Sequence, residues 1–113
     1  MINIHVIHDL HENRWLTREE LINGKWMFFN DNGYLGEMAF LEDGTIGKYD
    51  NRNERTWELR TIAHGYTILE IYGQGHKQTC AFISSLLDAT GKWKLQGPFT
   101  SNKSWRHYLV QYD

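Results

Sequence analysis

Turn signals recur at short intervals along this chain and limit each segment between them to the length of a β-strand. Glycine, asparagine and aspartate tolerate the positive φ angles that tight hairpins require, and the chain has ten glycines but one proline, Pro98. The clusters are Asp31-Asn32-Gly33, Asp43-Gly44, Asp50-Asn51-Arg52-Asn53, His64-Gly65, Gly73-Gln74-Gly75, Asp88-Ala89-Thr90-Gly91 and Ser101-Asn102-Lys103-Ser104. Strand-length segments joined by such turns predict antiparallel all-β architecture rather than βαβ units.

Eight segments between these turns are the predicted strands. The fourth shows the expected alternation, with Trp57 and Leu59 on one face and Glu58 and Arg60 on the other, as in a sheet with one face in water. The segments are residues 25–30, 34–41, 45–49, 56–62, 66–72, 77–84, 92–96 and 105–112. Eight strands can close a sheet and remove its edges. We therefore expect an all-β fold, an antiparallel up-and-down barrel or half-barrel of about eight short strands with one short N-terminal helix.

That helix is predicted from a capping box. Thr17 can cap the helix and Glu20, three residues on, can reciprocate. Apolar residues follow, and Asn23-Gly24 is a stop signal. We expect a helix of about two turns that plugs one end of the barrel.

The length and charge of the chain limit its organisation and partners. At 113 residues it is of the usual size for a single domain, residues 1–113. Residues 2–7 alternate apolar with polar, so residues 1–16 are either an extra strand or a flexible arm. The formal charge is -2, which provides no broad positive field, so nucleic acid is not an expected partner.

The single cysteine and the hydropathy pattern indicate the cellular compartment in which the protein is expected. Cys80 cannot form an internal disulfide, and the chain shows no secretory signal pattern. No apolar run approaches the ~20 residues that span a bilayer. These features predict a cytoplasmic protein with no membrane span, in which Cys80 is a buried, inert thiol.

A short helix leading into Gly24-Lys25-Trp26 and then a strand resembles the start of a lipocalin-like, or calycin-type, β-barrel, where a Gly-x-Trp motif begins the first strand. In that superfamily the tryptophan packs at the barrel floor beneath an arginine near the last strand. Here Arg106 lies in the last predicted strand. The resemblance implies that Trp26 and Arg106 are structural, with the guanidinium stacked on the indole.

Residues 43–59 resemble a pattern in small β domains that accompany bacterial surface-polysaccharide enzymes, including glycosyltransferases. The similar stretches run from Asp43 to Tyr49 and from Asn53 to Leu59. The resemblance implies an accessory role near carbohydrate chemistry and a glycosyltransferase or another enzyme as partner.

The first candidate ligand-binding residues are Trp57, Tyr49, Glu54 and Arg55. They place an indole, a phenol, a carboxylate and a guanidinium close together in sequence, and sugars bind to that mixture of rings and planar polar groups. The alternative is an Asx-type loop with a surface ion pair and a core tryptophan. Tyr34 and His107 are further candidates.

The histidines suggest other chemistry. His5, His8 and His11 recur at intervals of three, which would suit a metal only on a helix; we expect exposed histidines and no metal. His107 shares a face with Trp105 and Leu109 and could point inward, either as a hydrogen-bonded residue at the rim or as a ligand for substrate or haem. No catalytic residues and no cofactor are predicted.

The sequence thus leaves three functions open. The first is non-catalytic binding of a small molecule or carbohydrate at the open end of the barrel. The second is an accessory module that docks on an enzyme of polysaccharide assembly, and the third is a small barrel enzyme that uses His107. Both a monomer and a homodimer are compatible with the composition.

Overall fold

Antiparallel strands dominate the computed structural model, which describes residues 15–100 and 102–113. One helix, α1 (Arg18–Asn23), precedes them. Within the described residues the strands are β1 (Lys25–Asn30), β2 (Gly33–Phe40), β3 (Ile46–Gly47), β4 (Thr56–Thr61), β5 (Thr67–Tyr72), β6 (Gln78–Phe82), β7 (Ser84–Leu87), β8 (Trp93–Phe99) and β9 (Asn102–Tyr112). The predicted all-β antiparallel fold is confirmed.

The strands follow one another around a barrel of the up-and-down type. Their order in the sheet is β3-β2-β1-β9-β8-β6-β5-β4, with β7 paired to β8 beside β6. The two ends of this order meet at a bridge between Thr45 and Thr56, where the Ile46 amide donates to the Arg55 carbonyl at 3.0 Å. We call this narrow junction between β3 and β4 (residues 44–46 and 55–57) the seam. Through the seam the sheet nearly closes on itself.

Some predicted strands differ from the observed ones. The third predicted strand, residues 45–49, is shorter in the structure, where it is β3. Lys48 has a φ of 62°, in the left-handed region, and this backbone conformation ends the strand. The sixth, residues 77–84, is wrong as a single strand: it divides into β6 and β7 at Ile83. β7 pairs with the first half of β8, from Trp93 to Gln96, whereas β6 meets the end of β8 at Phe99.

Helix α1 lies where the sequence predicts it and closes one end of the barrel. The Thr17 hydroxyl accepts from the Glu20 amide at 3.2 Å, and the Glu20 carboxylate accepts from the Thr17 amide at 3.1 Å. The Trp26 indole donates to the Leu21 carbonyl at 2.9 Å, which ties α1 to the start of β1. In the part of the chain that the structure describes, no helix has the length and apolar character needed to cross a bilayer.

Large side chains fill the interior of the barrel. The buried core consists of Leu16, Leu21, Trp26, Phe28, Met38, Phe40, Trp57, Leu69, Ile71, Cys80, Phe82, Trp93, Leu95 and Leu109. Rings meet edge-on in this core, with the Phe40 centroid 6.2 Å from that of Trp26 and 5.9 Å from that of Trp57. Because the protein's own rings occupy the interior, a site for a ligand has to lie at the margin of the barrel.

Trp26 and Arg106 do not form the pair that the lipocalin resemblance implies. Trp26 is fully buried at the α1 end and pairs in register with Gln111 of β9. Arg106 lies five positions along the same strand, roughly 16 Å away at the rise of a strand, and is exposed. The guanidinium over an indole is instead that of Arg18, 4.8 Å from the ring of Trp57. Trp26 is thus a buried core residue bonded to α1, and the implied pairing with Arg106 is wrong because Arg106 lies too far along β9 to stack on it.

Candidate functional site

The second half of the loop between β3 and β4 is a turn held by hydrogen bonds. The Glu54 amide donates to the Asn51 carbonyl at 3.2 Å, and the Asn53 amide donates to the Asn51 side chain at 2.9 Å. The Arg55 amide donates to the Tyr72 carbonyl at the end of β5, at 2.8 Å. These bonds hold residues 49–55 over the end of the barrel opposite α1.

A cleft of about 260 Å³ opens between this loop and the seam. Its walls are formed by Thr45, Ile46, Tyr49, Asp50, Asn51, Glu54, Arg55 and Thr56. Three of the predicted ligand-binding residues, Tyr49, Glu54 and Arg55, therefore come together here. Arg55 is exposed at the rim, whereas the other two are covered to different degrees.

Glu54 is the buried acid of the cleft. The residue is only 6% exposed, and its carboxyl group has no hydrogen bond or ion pair within the described part of the chain. Burial raises the pKa of the Glu54 carboxyl to about 7, because removal from water disfavours the charged form. Near neutral pH the group therefore exists in both protonation states.

Glu70 shows how this fold satisfies a buried carboxylate elsewhere. It is also nearly buried, on the outer side of β5, but Arg60 binds both of its oxygens at 3.2 Å. Gln78 donates to it at 3.3 Å and Tyr72 at 3.4 Å. Buried polar groups are normally bonded in this way, whereas the Glu54 carboxyl has no such partner among the described residues.

Tyr49 lines the wall beside Glu54. Its ring meets that of Phe28 edge-on, with centroids 5.3 Å apart, and lies over Gly36, where an added Cβ would be 3.0 Å from the Tyr49 ring. Burial and the charge of Glu54 raise the pKa of the Tyr49 hydroxyl. Gly36 thus makes room for the ring, a role that strand alternation in the sequence did not indicate.

Thr56 is a member of the site that the sequence reasoning missed. Its hydroxyl oxygen is buried and lacks a hydrogen-bond partner among residues 15–100 and 102–113. No sequence signal indicated it, because Glu54 lies in a turn outside β4 and the alternation of a strand does not extend to that residue. Two polar groups at the cleft wall therefore lack a hydrogen bond within the described residues: the Glu54 carboxyl, and the Thr56 hydroxyl oxygen, which is enclosed by the protein.

Trp57, Tyr34 and His107 lie away from the cleft. Trp57 is 2% exposed and donates to the Leu41 carbonyl at 3.0 Å, so it is a core residue under α1. Tyr34 is 59% exposed and packs on Phe29, outside the barrel. The predicted cluster of Trp57 with Glu54 and Arg55 is thus split, because alternation sends Trp57 inward at the start of β4.

His107 is inward-pointing and 7% exposed. Its ring stacks on Phe28 at 5.1 Å and meets Phe99 edge-on at 5.4 Å. Its Nδ1 is buried without a hydrogen-bond partner in the described portion of the protein, and burial lowers the pKa of the imidazole. Phe28 separates this ring from Tyr49, so His107 supports the cleft wall from behind.

The described residues contain no cluster of three or more histidine, cysteine, aspartate or glutamate side chains that could hold a metal ion. His5, His8 and His11 lie outside the described residues. Burial raises the pKa of the Cys80 thiol to about 12, so Cys80 is protonated at neutral pH and not a nucleophile.

A second concavity, of about 550 Å³, lies against the outer face of the barrel. Its lining includes Phe29 of β1, Leu86 of β7, and Tyr108 and Val110 of β9. Leu86 is 59% exposed, and Lys94 of β8 contributes the charged group of the lining. We call this concavity the outer groove.

Comparison of the chain with models of protein families, with curated protein sequences and with solved structures finds no significant match. The resemblances to lipocalin-like barrels and to domains that accompany glycosyltransferases therefore stay predictions, and the functional argument depends on the geometry of the cleft.

Proposed function

We propose that this domain binds a small polar molecule, without catalysis, in the cleft between the Tyr49–Glu54 loop and the seam. The observation that carries the proposal is the Glu54 carboxyl, buried at the cleft wall without a partner. An unpaired buried polar group costs roughly 1–3 kcal/mol. A ligand that bonds to Glu54 supplies the partner that the described residues do not, which gives the cleft an affinity for polar molecules.

The remaining walls suit a sugar or a molecule of similar size. The Tyr49 ring offers an apolar surface, and Asp50, Asn51 and Arg55 offer planar polar groups around it, the combination by which proteins bind hydroxyl-rich rings. A cleft of about 260 Å³ is slightly smaller than the ~300–1,000 Å³ typical of drug-sized ligands. It therefore accommodates one ring or one terminal group rather than a long chain.

The proposal is tested by mapping ligand binding on the protein. A panel of monosaccharides, amino sugars and small diols and amines is titrated into ¹⁵N-labelled protein. We expect saturable shifts of the amides at residues 45–56, and Glu54→Ala should weaken binding by about tenfold or more, equivalent to ~1.4 kcal/mol. Glu58→Ala, an exposed acid of β4, is the matched control. If the panel leaves these amides unchanged, or if shifts centre on the outer groove, the proposal fails.

A second candidate, implied by the resemblance of residues 43–59, is an accessory module of a bacterial polysaccharide-assembly enzyme such as a glycosyltransferase, and the outer groove is its proposed docking surface. The apolar lining of the groove suits an apolar segment of a partner. Lys94 has no ion pair within the described ranges, so it suits a carboxylate on that segment. Co-expression with such an enzyme should give a complex that Leu86→Lys abolishes and Glu54→Gln preserves. Equal complex formation by the Leu86 variant would exclude the groove as the interface.

A further inference from the structure

Trp105 is the one exposed residue among the five tryptophans of the chain, all of which the structure describes. It is 53% exposed and lies in the first half of β9, at the end of the barrel opposite α1. Its ring leans on that of Phe99, with centroids 6.4 Å apart and planes tilted by 36°. An indole that is supported in this way and still open to water offers a surface on which another ring can stack.

A pocket of about 130 Å³ opens beside this indole. Its other walls come from the end of β1 and the turn that follows, residues Asn30, Asp31 and Asn32. The Asn30 side-chain oxygen accepts from the Asn32 amide at 2.8 Å, an Asx-type bond that fixes the turn. The amide of Arg106, the residue after Trp105, donates to the Asp31 carboxylate at 3.0 Å. This bond ties the turn to β9, so the carboxylate and the indole belong to one site, which we call the Trp105 pocket.

Asp31 is held in place as a hydrogen-bond acceptor. One of its oxygens accepts from the Arg106 amide, and the other accepts from the Tyr108 hydroxyl at 2.8 Å. These hydrogen bonds lower the pKa of the Asp31 carboxyl, so it is ionised at neutral pH. A carboxylate has about four acceptor sites. Two therefore orient the group, and the others are left for hydroxyl groups of a ligand.

The charges around the Trp105 pocket favour a neutral ligand over a cation. The positive charge of Arg106 acts on the Asp31 carboxylate and stabilises it. The two remaining polar side chains of the lining, Asn30 and Asn32, are amides, which donate and accept hydrogen bonds without a charge. The carboxylate is thus already compensated by the protein.

We propose that the Trp105 pocket binds a neutral sugar ring, which stacks on the indole while its hydroxyl groups donate to the Asp31 carboxylate. A pyranose has a face of C–H groups and a rim of hydroxyl groups, and it matches a ring set beside planar polar groups. The Trp105 pocket shares no lining residue with the cleft at Glu54. The proposal therefore stands apart from the proposed function of that cleft.

Nuclear magnetic resonance titrations of ¹⁵N-labelled protein with matched probes test the proposal. The sugars are methyl β-D-glucopyranoside and methyl β-D-galactopyranoside; cyclohexanol is the apolar ring and tetramethylammonium chloride the cation. We expect each glycoside to shift the Trp105 indole N–H and the amides of residues 30–32 saturably, with a dissociation constant of about 1–10 mM, as for one small ring in an open site. Cyclohexanol and tetramethylammonium should bind about tenfold or more weakly.

Variants assign the binding to the residues. Trp105→Ala should weaken glycoside binding by about tenfold or more, and Trp105→Phe, which restores a ring, should recover part of the affinity. Asp31→Asn replaces one acceptor oxygen by a donor and should weaken binding several-fold. Ile83→Ala is the matched control, because Ile83 is a similarly exposed apolar residue, at 46%, outside the pocket, and it should leave the affinity unchanged.

Three results would overturn the proposal: no shift in the Trp105 pocket with either glycoside, binding of cyclohexanol or tetramethylammonium as tight as that of the sugars, or an affinity that survives Trp105→Ala. Shifts confined to residues 45–56 would support the proposed function of the cleft and refute the Trp105 pocket. Shifts confined to the Trp105 indole and residues 30–32 would do the reverse.

Discussion

Glu54 and His107 are buried ionisable residues whose pKa values shift in opposite directions for the same reason. Burial disfavours the charged form of each, so the pKa of Glu54 rises from 4.5 to about 7 and that of His107 falls below 6.5. For Glu54 the folded state holds more protons than the unfolded state between these two values, so its contribution lowers stability as pH rises through that window. His107 has the reverse effect and lowers stability as pH falls below its unfolded value.

The substitution Glu54→Gln should therefore stabilise the protein in a pH-dependent way. At about pH 8 the variant avoids the cost of a buried charge, and one pKa unit corresponds to 1.36 kcal/mol. After allowance for screening by water at the cleft mouth, we expect a gain of about 2 kcal/mol in the free energy of unfolding. At about pH 3, well below both pKa values, the carboxyl is protonated in both states and the difference should vanish.

Urea denaturation at several pH values measures this difference. Glu58→Gln is the control, because Glu58 is exposed on the same strand, and it should change stability by less than ~0.5 kcal/mol. If Glu54→Gln raises the free energy of unfolding equally at every pH, ionisation of the Glu54 carboxyl is not the cause of the gain.

At the scale of the elements, Gly97 determines how β6 and β8 cross. A Cβ at this position would lie 1.7 Å from the Ala81 carbonyl oxygen and 2.9 Å from the Phe82 Cα. The backbone of β6 thus occupies the space in which a side chain on β8 would stand. Beyond this contact β8 pairs with β7 instead of β6. The break between β6 and β7 at Ile83 therefore lies beside the close approach at Gly97.

Gly97→Ala should consequently be severely destabilising. The new methyl group meets backbone rather than a mobile side chain, so the strands must separate, and we expect a loss of ~3 kcal/mol or more in the free energy of unfolding. Gly47→Ala in β3 is the matched control, because its Cβ would touch only the Leu41 side chain at 3.4 Å. Chemical denaturation that finds equal effects for the two variants would contradict the close approach.

At the scale of the whole molecule, the seam is a narrow junction of the barrel. β8 and β9 pair from Lys94–Val110 to Phe99–Asn102, whereas β3 and β4 meet through the Thr45–Thr56 bridge and two bonds beside it. In these bonds the Ile46 amide donates to Arg55 and the Trp57 amide donates to Gly44, at 3.0 and 2.9 Å. Local opening of a protein starts where few bonds have to break.

Hydrogen exchange should show this difference. We expect the Ile46 and Trp57 amides to exchange about tenfold or more faster than the paired amides of Leu95 and Leu109, a gap of ~1.4 kcal/mol in opening free energy. Because the seam forms one wall of the cleft, a bound ligand should slow exchange at the seam more than at β8. Uniform protection around the barrel would exclude opening at the seam.

Much of the fold could be predicted from local features of the sequence. Turn residues, alternation and the Thr17–Glu20 capping box depend on neighbours within a few positions, so α1 and the strand β1 lie at the predicted places. The loop that carries Glu54 brings polar side chains and a ring to one cleft, because Tyr49, Glu54 and Arg55 are near neighbours in the sequence; their role in binding stays a prediction.

What the tertiary structure alone decided is which of these groups meet and how much water reaches them. The burial of Glu54, the unpartnered Thr56 hydroxyl and the passage of β6 over Gly97 depend on contacts between segments far apart in sequence. The same is true of the Arg18 guanidinium, which lies over the Trp57 ring; the sequence predicted a stack of Arg106 on Trp26 instead. The sequence by itself determined where the chain turns, because turning is a local property of the backbone. The closure of the barrel decided the exposure of the cleft residues and the protonation of Glu54, because both depend on all the side chains and backbone packed around them.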